Sequence, residues 1–248
     1  MQMKKQITFF SLLLFGFIAK AQQLFLEKVN VEYVKMVAVW PLMKEIEPEW
    51  FERSKDRMPK ETVTYFNFTS DGNKSLYKRT KEAEIPKGMW FQPFADNNLI
   101  FNDYVTGTTT SQKPIYEETY LIQDSLLKIK WKITADTRNI AGFECRKAVG
   151  ILFDTVTVFA FYTDEIVISG GPEGINGLPG MILGVGIPRL HTTWFATKVS
   201  ILNDGDIKSI TPAVKGKKTT RNAMMGSLNK ALKEWESYGQ KLILAFVI

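Results

Sequence analysis

The chain has 248 residues, of which 45% are hydrophobic and 12% aromatic, and its 32 Lys and Arg against 26 Asp and Glu give a net charge of +6. Three of the lysines fall in the first 21 residues, which contain no acid, so residues 22–248 carry 29 basic against 26 acidic residues. So weak a charge does not indicate a nucleic-acid binder. One Cys and one His exclude an intramolecular disulfide and a zinc site built from Cys and His alone.

The N-terminal segment has the three parts of a secretory signal. Lys4 and Lys5 precede an apolar run over residues 7–18, and Ala19 and Ala21 form a small-x-small cleavage site. The run is shorter than the roughly 20 residues that a membrane-spanning helix needs. We therefore expect a signal peptide over residues 1–21, cleaved after Ala21, and an exported periplasmic or secreted protein. Residues 22–248 are expected to form a single β-rich domain without a transmembrane span.

Apolar and polar residues alternate along much of the chain, which predicts half-buried strands. The alternating rows cover residues 29–39, 63–68, 127–133, 156–162 and 194–201. Turn-forming residues lie between them at 71–73, 96–98, 124–125 and 203–206. Since strands and helices do not alternate, a parallel α/β sheet is not expected. The predicted class is mainly β (α+β), a curved antiparallel sheet or half-barrel with one or two packed helices.

Two segments predict helices. Residues 47–57 carry Pro48 near their first turn, where proline is tolerated. Residues 219–237 carry an apolar stripe at helical spacing, formed by Met225, Leu228, Leu232 and Trp235. Thr219 or Thr220 is expected to cap this second helix, and Gly239 to end it. The apolar residues 242–248 then predict a buried closing strand.

Glycine and proline are concentrated in one segment. Residues 170–186 contain seven glycines, at positions 170, 171, 174, 177, 180, 184 and 186, together with Pro172 and Pro179. Glycine permits a positive φ and close backbone approach, while proline fixes φ. The composition therefore predicts a stiff crossing between strands. No Gly-Lys-Ser/Thr follows and no GxGxxG opens a helix, so nucleotide binding is not predicted.

The sequence Gly177-Leu178-Pro179-Gly180-Met181-Ile182 resembles the GLPGLI family of secreted Bacteroidetes-type proteins, with Met181 in place of the usual residue. Similar blocks lie upstream at residues 131–133, 142–148, 161–166 and 170–172, with Phe143 and Val167 as small departures. The resemblance implies an exported, mostly β protein of uncharacterised function, and it carries over no catalytic residue. It makes one segment a candidate recognition loop, composed of Gly170, Gly171, Pro172, Gly177, Leu178, Pro179, Gly180, Met181 and Ile182.

Cys145 and His191 are the only nucleophile and imidazole available for thiol catalysis. Cys145 lies between the charged Glu144 and Arg146 in a strand pattern, so its side chain is expected to face the core. His191 ends the glycine segment and is a candidate ligand contact. We predict no catalytic residue, no cofactor and no metal site.

The leading functional hypothesis is a non-catalytic binding or carrier protein. A strongly curved sheet leaves a concave face that accommodates a hydrophobic ligand. Aromatic residues are available to line it: Trp40, Trp90, Phe91, Trp131 and Trp194. The alternative is an interaction module that serves an outer-membrane transporter or receptor, with residues 177–182 as its recognition edge. A third hypothesis is a hydrolase that uses Cys145 or His191.

Overall fold

The computed structural model describes residues 26–248, so the predicted signal peptide and its cleavage site lie outside the described residues. Twelve strands form one sheet in this part of the chain. Their bounds are β1 Val29–Ala38, β2 Glu61–Ser70, β3 Lys74–Lys81, β4 Leu99–Asp103, β5 Thr108–Ile115, β6 Glu118–Ser125, β7 Lys130–Ile140, β8 Phe143–Leu152, β9 Val156–Thr163, β10 Met181–Ile187, β11 Thr192–Ile201 and β12 Lys217–Thr219. The helices are α1 Val39–Ile46, α2 Pro48–Ser54, α3 Asp204–Ile207, α4 Arg221–Ala231 and α5 Glu236–Val247, with short 3₁₀ turns at 55–57, 172–174, 188–190 and 233–235.

The sheet consists of two antiparallel meanders that meet at one seam. The strand order is β12-β6-β5-β4-β3-β2-β1-β11-β10-β9-β8-β7. Strands β1 to β6 run outward in one direction, and β7 to β11 return from the far edge to β1. At the seam, Val31 lies opposite Val199 of β11 and, on its other side, opposite Phe68 of β2. Only β12 pairs in parallel, with β6.

A short connection requires the sheet to curl. Strand β6 lies next to the edge strand β12, whereas β7 is the opposite edge. Only residues 126–129 join them, and five Cα–Cα steps span at most about 18 Å. The two ends of the sheet therefore lie close together. The predicted class is confirmed, because the sheet is an open, curled one and the described residues are 45% strand and 24% helix.

The interior of the curled sheet is filled by the chain itself. Residues 164–180, which join β9 to β10, cross the concave face and contribute Ile166, Ile168, Ile175 and Leu178 to the main core. The hydroxyl of Tyr33 on β1 donates a hydrogen bond of 2.5 Å to the carbonyl of Ile182. The concave face that the sequence suggested for a ligand is thus occupied by the glycine-proline segment.

The predicted alternation is confirmed in strands that have one buried face and one more exposed face. In β2, Thr64, Phe66 and Phe68 are buried while Tyr65 is exposed, and in β9 the row 156, 158, 160, 162 is buried. The row expected over 127–133 is wrong in part, because β7 begins only at Lys130 and Ile133 is exposed at the sheet edge.

Several predicted elements differ from the structure. Residues 242–247 do not form a strand but belong to α5, and Gly239 lies inside that helix. A short apolar run fits either period, and here every residue over 241–248 except Ala245 is buried, so burial does not distinguish the two. Residues 39–46 form α1 instead of extending β1, residues 203–206 open the short α3, and 124–125 complete β6.

The helical stripe predicted over 225–235 is shifted. Met224 is fully buried together with Leu228 and Leu232, whereas Trp235 is half exposed. The 3₁₀ turn over 233–235 breaks the helical register before Trp235. Thr220 caps α4 as expected, since its hydroxyl accepts a hydrogen bond from the amide of Ala223.

Candidate functional site

An open cleft of about 830 Å³ lies at one end of the curled sheet. Helices α1 and α2, the loop over residues 82–98, the β5–β6 turn and α5 surround it. Its lining consists of Met43, Glu47, Trp50, Arg53, Arg79, Trp90, Phe91, Gln92, Pro93, Phe94, Ala95, Asp96, Asn97, Pro114, Tyr116, Trp235, Tyr238 and Phe246. Ligand sites in proteins are commonly concave, of this size, and lined by aromatic side chains with a few polar groups.

The aromatic rings of the cleft contact one another. Trp50 and Trp90 meet edge to face at 5.1 Å between centroids, and Trp235 contacts both Tyr116, at 6.1 Å, and Tyr238, at 5.8 Å. Such pairs stabilise the positions of the rings beyond their burial. Trp90, Tyr116 and Trp235 remain 51%, 59% and 46% exposed, so the cleft presents large apolar surfaces on positioned side chains.

One wall of the cleft is the loop over residues 82–98, which has no regular secondary structure. Loops of this length are uncommon unless they have a function. Side chains of Lys35 and Arg79 are among the groups that hold it. The buried ammonium of Lys35 on β1 donates to the carbonyls of Phe94, at 2.9 Å, and Ala95, at 2.8 Å. The guanidinium of Arg79 pairs with Asp96 at 3.2 Å.

The opposite wall is α5. Buried Lys113 on β5 donates to the carbonyls of Phe246 and Ile248. These carbonyls lie at the C-terminal end of α5, which is the negative end of the helix dipole. At the middle of the helix, Lys241 pairs with Glu45 of α1 at 2.8 Å. Buried lysines therefore hold both walls, one through Lys35 and one through Lys113.

Charges of both signs line the cleft. Arg79 is paired with Asp96, while Arg53 and Glu47 on and beside α2 are exposed and have no ion pair among the described residues. Two arginines and two acids leave the cleft close to neutral. The arrangement favours a ligand without a strong net charge.

The predicted recognition loop is mostly internal. Of its nine residues only Gly177 and Pro179 are exposed, and the other seven are buried. Gly180 has a φ of +146°, and a Cβ there would overlap the carbonyl oxygen of Thr163. The glycines of this segment thus serve close packing, and the segment offers little surface to a partner.

Cys145 and His191 have separate partners. The Cys145 thiol is buried next to the carbonyl of Phe143, at 3.6 Å, and burial raises its pKa to about 12. A thiol is nucleophilic only as thiolate, so this cysteine is inert at neutral pH. His191, at a φ of +48°, bonds through Nε2 to Glu45 at 2.6 Å and lies outside the lining of the cleft. The site of a thiol hydrolase is not assembled.

A thiol reagent tests the state of Cys145. In native protein comprising residues 22–248, dithionitrobenzoate is expected to leave the cysteine unmodified for hours at pH 8, because the thiol is both buried and protonated. In 6 M guanidinium the same protein should release one equivalent of chromophore, which serves as the control. Modification of the native protein at the rate of a free thiol would contradict the buried position.

The five aromatic residues considered from the sequence were expected on the concave face of the sheet, not in this cleft. Trp90 and Phe91 line the cleft instead. Trp40 packs on Phe51, at 5.8 Å between centroids, Trp131 donates from its indole to the carbonyl of Asn176 at 2.9 Å, and Trp194 is in the core.

The remaining cleft residues were missed because tertiary packing alone brings Trp50, Tyr116, Trp235 and Tyr238 together. Lys35 had a signal, since it stands in phase with the buried row of β1. The described residues contain no cluster of three side chains able to hold a metal ion and no helix long and apolar enough to cross a bilayer.

Comparison with known proteins supports the fold. The chain is similar to part of PNGF-II in a C2 crystal form, with a TM-score of 0.51 and 16% identity over 79% of this chain and 31% of that chain. The P21 form of PNGF-II gives a TM-score of 0.49 and 17% identity over 78% of this chain and 32% of that chain. An uncharacterised conserved protein from Thermus thermophilus gives 0.38 and 5% identity over 78% of this chain and 90% of that chain. The chain thus spans about a third of the length of PNGF-II, and the likeness concerns the fold alone.

No curated protein matches the sequence. The match to a family is confined to residues 150–184, from the end of β8 through the glycine-proline segment into β10. Over these residues the chain matches the model of Porph_ging, a protein family of unknown function.

Proposed function

We propose that this protein is an exported, non-catalytic binding protein whose aromatic cleft holds a ligand with flat apolar faces. The single observation that carries the proposal is the cleft of about 830 Å³, into which eight aromatic side chains project while three of them stay about half exposed. Large exposed aromatic surfaces on fixed side chains mark binding sites. Export is proposed from the signal-like residues 1–21.

The lining indicates the shape of the ligand. Among the residues that line the cleft there is no leucine, isoleucine or valine, and the apolar surface comes from rings, Met43, Ala95 and two prolines. Ring faces stack against other flat groups, whereas a long alkyl chain packs better among branched aliphatic side chains. The proposed ligand is therefore ring-bearing and close to neutral, not a long fatty acyl chain.

A fluorescence titration tests this proposal. The neutral aromatic probe N-phenyl-1-naphthylamine and the alkyl probe cis-parinaric acid are titrated into protein comprising residues 22–248. The ring probe is expected to bind more tightly. Trp90→Ala and Trp235→Ala should each raise its Kd about tenfold, because each removes an aromatic contact worth about 1.4 kcal/mol. Native mass spectrometry of protein from its own host then identifies the natural ligand.

The matched control is Tyr65→Ala, which removes an exposed aromatic side chain from β2 on the far side of the sheet. This variant should leave the Kd within twofold. Equal binding of the alkyl probe would contradict the preference for rings. Binding that is unchanged in both tryptophan variants would exclude the cleft as the site.

A further inference from the structure

Three ionisable side chains approach one another inside the curled sheet without forming an ion pair. Glu173, Lys35 and Lys113 are 3%, 4% and 3% exposed. The Glu173 carboxylate accepts hydrogen bonds from Asn98 Nδ2, at 2.8 Å, and from the Tyr77 hydroxyl, at 3.5 Å. Both ammonium groups donate to backbone carbonyls instead. Buried charges without a compensating partner are strongly unfavourable. The lack of a direct contact between Glu173 and either lysine therefore requires an explanation.

Two small cavities lie beside Glu173, one for each lysine. The first, of about 20 Å³, is lined by Lys35, Glu173 and Trp194. The second, also about 20 Å³, is lined by Lys113, Glu173 and Asn102. A cavity of this size accommodates one water molecule, provided that two to four polar groups face it.

Among the residues that line each cavity, one carries a buried polar atom without a hydrogen-bond partner among the described residues. On the side chain that lines the first cavity this atom is Trp194 Nε1, which lies near the Tyr77 hydroxyl. In the second it is Asn102 Oδ1. An indole N–H requires an acceptor and an amide oxygen requires a donor. A water molecule meets either need, because it can both accept and donate a hydrogen bond.

We propose that each cavity binds one water molecule, and that the two waters join Lys35, Glu173 and Lys113 into one bridged charge cluster. The first water accepts from Lys35 and Trp194 Nε1 and donates to Glu173. The second accepts from Lys113 and donates to Glu173 and Asn102 Oδ1. Water-mediated contacts of this kind are nearly as favourable as direct ones.

The cluster connects the walls of the cleft to the glycine-proline segment. Lys35 holds the carbonyls of Phe94 and Ala95 in the loop, and Lys113 holds the end of α5. Glu173 lies between them at a φ of +53°, an unfavourable conformation for this residue type that persists only where surrounding contacts hold it. Loss of the Glu173 charge should therefore loosen both walls at once. This role does not depend on which ligand the cleft takes.

A crystal structure at about 1.5 Å of residues 22–248 tests the hydration directly. One water is expected in each cavity, within hydrogen-bond distance of the lysine, of Glu173 and of the unpartnered side chain. Empty cavities, or a lysine bonded directly to Glu173, would overturn the proposal.

The variant Glu173→Gln tests the connection. It keeps the shape of the side chain but removes the buried acid that acts on both lysines. We expect its Tm to fall by about 6 °C. Hydrogen exchange should accelerate over residues 90–97 and 236–247 together. The control Asp164→Asn makes the same chemical change in an exposed carboxylate that pairs with Arg146, and it should shift the Tm by less than about 1 °C.

Acceleration confined to the glycine-proline segment would show that the cluster does not join the walls, and a Tm equal to the control would refute the cluster itself. If Glu173→Gln does not fold, the double variant with Lys113→Met serves in its place. Because one of the two buried positive charges is then gone, this double variant should fold and should be more stable than Glu173→Gln. Failure of the double variant to improve on the single one would also overturn the proposal.

Discussion

Gly180→Ala is expected to destabilise the protein by more than about 4 kcal/mol, enough to prevent folding of a domain of ordinary stability. The φ of +146° at Gly180 lies in a region that residues with a Cβ rarely adopt, and the new methyl group would overlap the carbonyl oxygen of Thr163 on β9. A backbone atom cannot move aside as a flexible side chain does. The β9–β10 connection would have to shift, and with it the segment that fills the interior.

Expression yield and urea denaturation measure this effect. The matched control is Gly226→Ala in α4, where a Cβ meets nothing within 4 Å. That control should gain about 1 kcal/mol, because alanine is the better helix former. Equal stability of Gly180→Ala and the wild-type protein would show that the close approach of β9 and residue 180 is not required.

Lys113 is expected to make the stability of the protein rise with pH between about 8 and 10.5. Burial lowers the pKa of Lys113 from 10.5 to about 8, while the carboxylate of Glu173 partly opposes this and the charges of Arg221 and Lys35 add to it. Since the folded pKa is below the unfolded one, the unfolded chain binds the proton more strongly in this range. The cost of burying the charge is present in full below pH 8 and is lost as the pH approaches 10.5.

The free energy of unfolding should therefore increase by about 3 kcal/mol more in the wild-type protein than in Lys113→Met over that range. Urea denaturation of both proteins at pH 7, 8, 9 and 10 measures this difference between the wild type and Lys113→Met. The titration of other groups cancels, because both proteins contain them. The control Lys208→Met removes an exposed lysine and should run parallel to the wild type. Parallel curves for Lys113→Met as well would contradict the lowered pKa.

The fold was predictable from the sequence where local patterning and burial agree. The period-two rows of β2 and β9 identified strands and their inward faces, and Thr220 identified the start of α4. Residues 242–248 were misassigned because an apolar run of seven residues carries no period of its own, and neighbours bury this one on nearly every side. Here the neighbours are the open end of the sheet and α4.

The candidate site was less predictable, since it depends on tertiary contacts. Trp50, Trp90 and Trp235 are distant in sequence, and only the closure of the sheet end brings them to one cleft. The glycine-proline segment drew attention as a recognition surface because such segments are commonly loops. Its glycines instead permit close packing inside the sheet, which local composition does not distinguish from an exposed turn.

The four residues over 126–129 also determine how the chain can be divided. Strands β1–β6 and β7–β11 are each built from neighbours in sequence. Within the described residues the two parts of the chain are joined by the β1–β11 ladder, by the short parallel pair β6–β12 and by the bridge between Leu26 and Ile166. A break in this connection would leave two fragments, each with its local hairpins intact, that complement each other through these pairings and the shared core. The two halves could then be expressed separately, and recovery of the cleft on mixing would report reassembly across these pairings.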